Sequence, residues 1–182
     1  MKKLVKVVFV LMMAVSLMAC QSEKKEEVEV ILEGKQGDTL STMFFDYQVN
    51  DSYLIEQLNM KEPENKAQQF LVVNITVKNP SEENSIEMAD TDFKVRYNNK
   101  DADPLTTYKV TGMVEDELAS KYTLNAKEEK TGNLVFVVVK EVTDFTLETT
   151  EHYNTNKDET VKEGNTFKLS FTATQKDVKE EN

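Results

Sequence analysis

Apolar and polar residues alternate along much of the chain, with the period of two that is typical of a β-strand with one buried face. Met43, Phe45, Tyr47 and Val49 form one such apolar face, and Phe44 falls on the opposite, polar side. The other alternating apolar sets are Leu71/Val73/Ile75/Val77, Phe93/Val95/Tyr97, Phe145/Leu147 and Phe167/Leu169/Phe171. These segments predict an all-β protein.

Two stretches depart from this alternation. Residues 134–139 are apolar on both faces, which predicts a central strand. Residues 114–119 carry acids near their start and place Val114 and Leu118 four positions apart, a spacing that predicts one short helix. The glycines and prolines lie between the apolar runs or at their edges, where turns are expected. About seven short strands favour an immunoglobulin-like antiparallel β-sandwich, with a small barrel or a jelly roll as alternatives.

The N-terminus has a different pattern. Lys2, Lys3 and Lys6 precede an uncharged apolar run from position 7 to position 19. This run is shorter than the ~20 residues that a membrane-spanning helix needs. A basic start followed by a short apolar run predicts a secretory signal peptide.

The only cysteine of the chain, Cys20, follows this run directly. Leu17, Ala19 and Cys20 resemble the lipobox of bacterial lipoproteins, although Met18 is a less common residue at its position. The resemblance implies that the Cys20 thiol is alkylated with diacylglycerol and that the chain is cut just before it. Two acyl chains give stable membrane anchoring. The predicted organisation is a signal peptide (1–19), a lipidated cysteine with a charged flexible tether (20–29), a β-sandwich (30–174) and a charged C-terminal tail (175–182).

Two further stretches carry a family resemblance. Residues 70–81 (FLVVNITVKNPS), and residues 131–138 (TGNLVFVV) after Leu124, resemble the signatures of an uncharacterised family of Gram-positive surface lipoproteins. Gly37-Asp38-Thr39 is similar to the start of that family's first strand pair, whereas Asn125-Ala126 stands where the family usually has Pro-Gly. The resemblance implies an immunoglobulin-like sandwich related to a secreted mycobacterial immunoprotective antigen. It implies no catalytic residue.

Few residues offer catalytic chemistry. His152 is the only histidine, which excludes sites built from several histidines and leaves it as an ordinary surface residue. Cys20 is assigned to lipid, and the chain has no Gly-x-Ser-x-Gly motif and no glycine-rich phosphate loop. We therefore expect no enzyme activity and no cofactor. A hydrolase that uses two of the 33 acidic residues stays open as an alternative.

Calcium is a second alternative, because acidic residues occur in two close pairs. These weak metal candidates are Asp90, Asp92, Asp101 and Asp103. The strand expected between the pairs spans roughly 20 Å, so the two pairs cannot share one ion. The simpler interpretation is that these four aspartates are solvent-exposed residues in turns.

The charge of −11 at pH 7 argues against nucleic acid as a partner, because an acidic surface repels phosphate. The sequence predicts a non-enzymatic binding module that is lipid-anchored at the outer side of the cell membrane. Its partners would be the membrane, through Cys20, and an unknown protein, peptide or cell-wall ligand. A carboxylate-dependent hydrolase and a calcium or small-ligand sensor remain the alternatives.

Overall fold

The computed structural model describes residues 30–97, 103–108, 112, 114–154 and 161–177. The predictions for the signal peptide, Cys20, the tether, Asp101 and the last residues of the tail lie outside these ranges. The strands are β1 (Ile31–Lys35), β2 (Thr39–Ser41), β3 (Asp46–Ile55), β4 (Gln68–Lys78), β5 (Ile86–Ala89), β6 (Lys94–Tyr97), β7 (Lys121–Leu124), β8 (Glu129–Val139), β9 (Asp144–Asn154), β10 (Val161–Thr172) and β11 (Thr174–Gln175). No helix of the described residues is both long and apolar enough to cross a membrane.

Two packed sheets make the sandwich, as the alternating pattern predicts. Sheet one has the strand order β1-β10-β9-β6, and sheet two has the order β11-β3-β4-β8, with β2 paired to β3. Most pairs are antiparallel, but β1 lies parallel to β10 and β11 lies parallel to β3. β5 and β7 form a separate antiparallel ribbon. The all-β antiparallel sandwich is thus confirmed.

The main core lies between the two sheets. Sheet two contributes alternate residues of β4, which are fully buried, namely Leu71, Val73, Ile75 and Val77. Sheet one contributes Phe145, Leu147, Leu169 and other apolar residues to the same cluster. Alternate side chains of a strand point to opposite faces, so one periodic set per strand is enough to fill this core.

A smaller apolar cluster covers the outer face of sheet two. Phe70 and Val72 of β4 pack there with Val135 of β8, and Tyr108 and Val114 from the β6–β7 connection lie against them. The ring centroids of Phe70 and Tyr108 are 5.5 Å apart. Sheet two is therefore buried on both faces over part of its width.

This outer cover corrects the prediction for residues 134–139. They lie in β8, which is at the edge of sheet two rather than at its centre. The connection protects this edge, because the backbone N–H of Tyr108 donates to the carbonyl of Val135 at 2.6 Å. The backbone N–H of Leu118 donates to the carbonyl of Asn133 at 3.0 Å. The sequence of an edge strand that is covered in this way has apolar residues on both faces, like that of a central strand.

The short helix expected at residues 114–119 is not formed. These residues make a turn in which Asp116 has a positive φ of 51°, followed by a bridge between Glu117 and Asn133. The carbonyl of Asp116 accepts a hydrogen bond from the backbone N–H of Asn133 at 2.8 Å. Hydrogen bonding to β8 therefore determines the conformation of residues 114–119, although the spacing of Val114 and Leu118 is helical. Within the described ranges, the helical element is a single 3₁₀ turn, η1 (Asp90–Asp92).

Candidate functional site

A cleft of about 430 Å³ opens between the β2–β3 turn, the β5–η1 segment and the second half of β9. Its volume falls within the range of sites for small molecules. The residues that line it come from three separate parts of the chain: Thr42, Phe44, Phe45, Ile86, Glu87, Met88, Thr91, Asp92, Lys94, Glu148, Thr149, Thr150, Glu151 and His152.

The β2–β3 turn forms one wall. The Thr42 hydroxyl accepts hydrogen bonds from the backbone N–H groups of Phe44 and Phe45, at 3.1 and 2.9 Å. Such a side-chain-to-backbone turn fixes the local conformation. As a result Phe45 is buried in the core, whereas Phe44 stays 40% exposed at the cleft.

Two buried carboxylates of β9 also line the cleft, and both are held by partners. Glu148 pairs with Arg96, with 2.7 Å between Oε2 and Nε. Glu151 is 6% exposed, and its oxygens accept hydrogen bonds from the backbone N–H groups of Met43 at 2.6 Å and Asn165 at 3.3 Å. Asn165 lies in the register shift of β10 that interrupts its pairing with β9. Glu151 thus joins the β2–β3 turn to this bulge.

Asp92 contributes a third carboxylate from η1. Burial of the carboxyl group is the main cause that raises the pKa of Asp92, although the residue as a whole is exposed. The charge of Asp90 raises this pKa further, whereas the backbone N–H of Ala89 and the charge of His152 lower it. The Ala89 N–H donates to Asp92 Oδ2 at 2.7 Å. Asp92 therefore faces the cleft with one oxygen fixed by the backbone.

Buried hydroxyl groups lie close to these acids. Burial is the main cause that raises the pKa of Tyr47, and the charge of Glu148 adds to it. Burial likewise raises the pKa of Tyr122, followed by the charges of Asp92 and Asp90. Neither phenolic oxygen has a hydrogen-bond partner among the described residues. Both phenols are therefore harder to ionise than an exposed tyrosine.

The cleft extends onto the outer face of sheet one. A second depression of about 650 Å³ shares Lys94, Glu148 and Thr150 with it. Charged and hydroxyl side chains line this depression, and the Oγ1 atoms of Thr150 and Thr166 are 3.0 Å apart there. The two depressions therefore make one polar surface that starts at the cleft.

The residues singled out from the sequence are distributed unevenly. Asp92 and His152 line the cleft, and Asp90 is buried beside it with Oδ1 lacking a hydrogen-bond partner in the described part of the chain. Asp103 is exposed and lies outside the cleft lining, and Asp101 is outside the described ranges. Among the residues described, no group of three or more His, Cys, Asp or Glu side chains is placed to hold a metal ion.

Sequence reasoning did not single out Glu148 or Glu151. A usable signal was present for Glu151, which is an acid in the same alternate set of β9 as Phe145 and Leu147. Glu148 belongs to the other, polar set and gave no such signal. A buried charge in a strand needs a partner. The structure shows Arg96 of β6 beside Glu148, and the backbone N–H groups of Met43 and Asn165 beside Glu151.

Comparisons with known proteins give a family and a fold. The family model described as "Domain of unknown function (DUF4352)" matches residues 34–160. No curated protein sequence matches the chain.

Several solved structures are similar. The ycdA protein of Bacillus subtilis, a proposed lipoprotein, is 22% identical over 71% of this chain, with a TM-score of 0.52. This chain covers only 37% of that protein's length. The secreted protein MPT63 of Mycobacterium tuberculosis is 18% identical, over 75% of this chain and 95% of its own, with a TM-score of 0.48. A proposed lipoprotein of Staphylococcus aureus is 10% identical, over 79% and 96% of the two chains, with a TM-score of 0.49. At these identities the likeness concerns the fold alone.

Proposed function

Since the chain belongs to the DUF4352 family of domains of unknown function, we propose its role from its own residues: it is a lipid-anchored extracellular module that binds a ligand in the cleft. It would be a surface lipoprotein of the Gram-positive type with an immunoglobulin-like domain, and it would not be an enzyme. The observation that carries the binding role is the cleft of about 430 Å³ with mixed apolar and polar walls.

The proposed location rests on the N-terminal sequence. The basic start, the short apolar run and Leu17-Met18-Ala19-Cys20 agree with one another. The charged residues after Cys20 would act as a tether, because residues 21–27 are all polar or charged and have nothing to bury. The domain would therefore stand close to the outer surface of the membrane.

Mass spectrometry of the protein from its native host tests the anchor. We expect an N-terminal peptide that begins at Cys20 and carries acyl chains. The Cys20→Ala variant should keep its first 19 residues and carry no lipid, and a Ser22→Ala control should be processed like the wild type. Finding Cys20 unmodified with the leader still attached would refute the anchor.

The binding role is tested by filling the cleft. Thr91 is exposed and lines the cleft, so Thr91→Arg should obstruct it without disturbing the core. Thr143→Arg is the matched control, because Thr143 is exposed and lies outside the lining. A ligand from envelope extracts that binds only the native state should raise the Tm of the wild type and of Thr143→Arg, but not that of Thr91→Arg. An equal rise in all three proteins would exclude the cleft.

A carboxylate-dependent hydrolase is the second candidate, and one observation favours it. Asp92, whose pKa is raised by burial, shares the cleft with Glu148, and a raised pKa suits a general acid. However, Glu148 is already paired with Arg96, and both oxygens of Glu151 accept backbone hydrogen bonds. Turnover of wall, lipid or peptide substrates that is lost in Asp92→Asn and in Glu148→Gln would favour the hydrolase over the binding module.

A further inference from the structure

The cleft has an apolar side and an acidic side. Ile86 and Met88 of β5 and the exposed ring of Phe44 provide apolar surface. Glu87 and Asp92 provide carboxylates from the same β5–η1 segment. A ligand that satisfies both sides must combine an apolar body with a polar group of complementary charge.

Negative charge exceeds positive charge in the lining. Four acids stand there with a single lysine, Lys94, and with His152. Two of the acids are already satisfied, because Glu148 pairs with Arg96 and Glu151 binds two backbone N–H groups. Glu87 and Asp92 form no ion pair with any described residue. These two carboxylates are therefore available to a cation.

An anionic ligand would face an unfavourable site. Burial is the main cause that raises the pKa of Tyr47 and Tyr122 beside the cleft, and the charges of Glu148 on Tyr47 and of Asp92 and Asp90 on Tyr122 raise it further. The whole chain also carries a charge of −11. A cation gains from the same field, and the face of an exposed aromatic ring such as Phe44 attracts it further.

We propose that the ligand of the cleft is an organic cation, with an ammonium or guanidinium group beside Asp92 and Glu87 and an apolar body against Phe44, Ile86 and Met88. This inference rests on the proposed function, because it names the chemical class that the cleft binds. Ligand charge would then decide selectivity, and the apolar wall would add affinity for aliphatic substituents.

Methionine methyl groups provide a built-in reporter for a test by NMR. Met88 lines the cleft and is 4% exposed, whereas Met60 is 87% exposed and lies outside the lining. The full chain, labelled at its methionine methyl groups and purified in detergent, would be titrated with butylammonium, butanoate and butanol. We expect butylammonium to shift the Met88 signal saturably, butanol to shift it less, butanoate to leave it unchanged, and Met60 to respond to none of them.

Charge-matched variants complete the test. Asp92→Asn keeps an oxygen for the Ala89 N–H but removes the charge, and it should raise the Kd for butylammonium about five- to tenfold. Asp103→Asn removes the same unit of charge from an exposed position outside the cleft lining and should leave the Kd within about twofold. Equal weakening by both variants would overturn the assignment of the cation to Asp92.

The outcomes separate this inference from the proposed function. A Met88 shift of equal size and affinity with butanoate would overturn the cation preference and leave the cleft as a binding site. The absence of any Met88 shift with all three probes would overturn both.

Discussion

The carboxylate of Glu151 accepts a 2.6 Å hydrogen bond from the backbone N–H of Met43, a residue 108 positions earlier in the chain. Its other oxygen accepts the N–H of Asn165. Glu151→Ala leaves both donors without this partner, so it should lower the free energy of unfolding by about 1.5–3 kcal/mol. Denaturant unfolding measures the loss, and faster amide hydrogen exchange at Met43 locates it.

Glu141→Ala is the control for this substitution, because Glu141 is exposed and lies outside the cleft. It should leave the stability nearly unchanged. Equal stability of the Glu151→Ala and Glu141→Ala variants would show that the β2–β3 turn does not depend on Glu151.

Asn79 joins the β4–β5 connection to the end of β7 at one end of the sandwich. It is fully buried, and its side-chain NH₂ group donates to the carbonyls of Asn84, Leu124 and Asn125 at 2.8, 3.1 and 3.0 Å. Its side-chain oxygen accepts the backbone N–H of Ser81. We expect Asn79→Ala to lower the unfolding free energy by about 2–4 kcal/mol, because the buried carbonyl of Leu124 and two part-buried carbonyls would lose their donor.

Asn79→Asp distinguishes these hydrogen bonds from simple packing. The substitution keeps the shape but directs a carboxylate at three carbonyl oxygens. Thermal unfolding at pH 7 should therefore show a Tm at least as low as that of Asn79→Ala. A Tm close to that of the wild type would mean that the amide group is not needed.

Gly132 lies in β8 directly under the turn at residues 116–118. A Cβ at this position would lie 2.7 Å from the carbonyl oxygen of Asp116 and 2.7 Å from Cδ2 of Leu118. Gly132→Ala should therefore push the turn away from β8 and cost about 1–3 kcal/mol of unfolding free energy. Amide exchange at Leu118, whose N–H donates to Asn133, should accelerate. Thr143→Ala, at an exposed position between β8 and β9, is the control. Protection of the Leu118 amide equal to that of the wild type in Gly132→Ala would contradict this account.

The raised pKa of Asp92 predicts a pH-dependent stability. An acid whose pKa is higher in the folded state favours folding most when it is protonated, so its contribution is lost as the pH rises through that raised pKa. Asp92→Asn should therefore have a higher Tm than the wild type at pH 7. This gain should shrink as the pH falls towards 3.8, the ordinary pKa of the group, because both folded and unfolded wild type are then increasingly protonated.

Thermal scans across this pH range, with Asp103→Asn as the control, measure the effect. The control should show no comparable pH dependence. A wild type that is more stable than Asp92→Asn at pH 7 would contradict the prediction. Together with the weaker cation binding expected of Asp92→Asn, a higher Tm would show that this carboxylate is kept for binding at some cost in stability.

The long strands of both sheets were predictable from the sequence. Phe145, Leu147, Phe167 and Leu169 alternate with polar residues, and all four are buried in the core. The period of two is a local property that a strand displays without knowledge of its neighbours. The short ribbon of β5 and β7 was not predicted, because four residues of mixed polarity, such as 86–89, carry too little periodicity.

The two family signatures can now be understood in physical terms. Asn79 and Ser81 of the first signature form the hydrogen-bonded end of β4, and Gly132 of the second provides the space for the turn at Asp116. In the sequence alone, the two signatures are visible only as residues at a characteristic spacing. The contact between Asn79 and Ser81 is local. The contacts of Asn79 with Leu124 and of Gly132 with Asp116 join segments that are separate along the chain, so a local pattern does not show them.

The sequence by itself determined that the chain is rich in strands with one buried face. Burial of one face requires apolar residues at every second position, and this alternation is visible in the sequence. It also carries the lipobox-like segment and the acidic charge. Only the tertiary structure decided that β8 is an edge strand with a protected edge, and that Thr42, Asp92 and Glu151 meet at one cleft. These outcomes depend on which strands pair and in what register, and such long-range pairing is set by the packing of the whole sandwich.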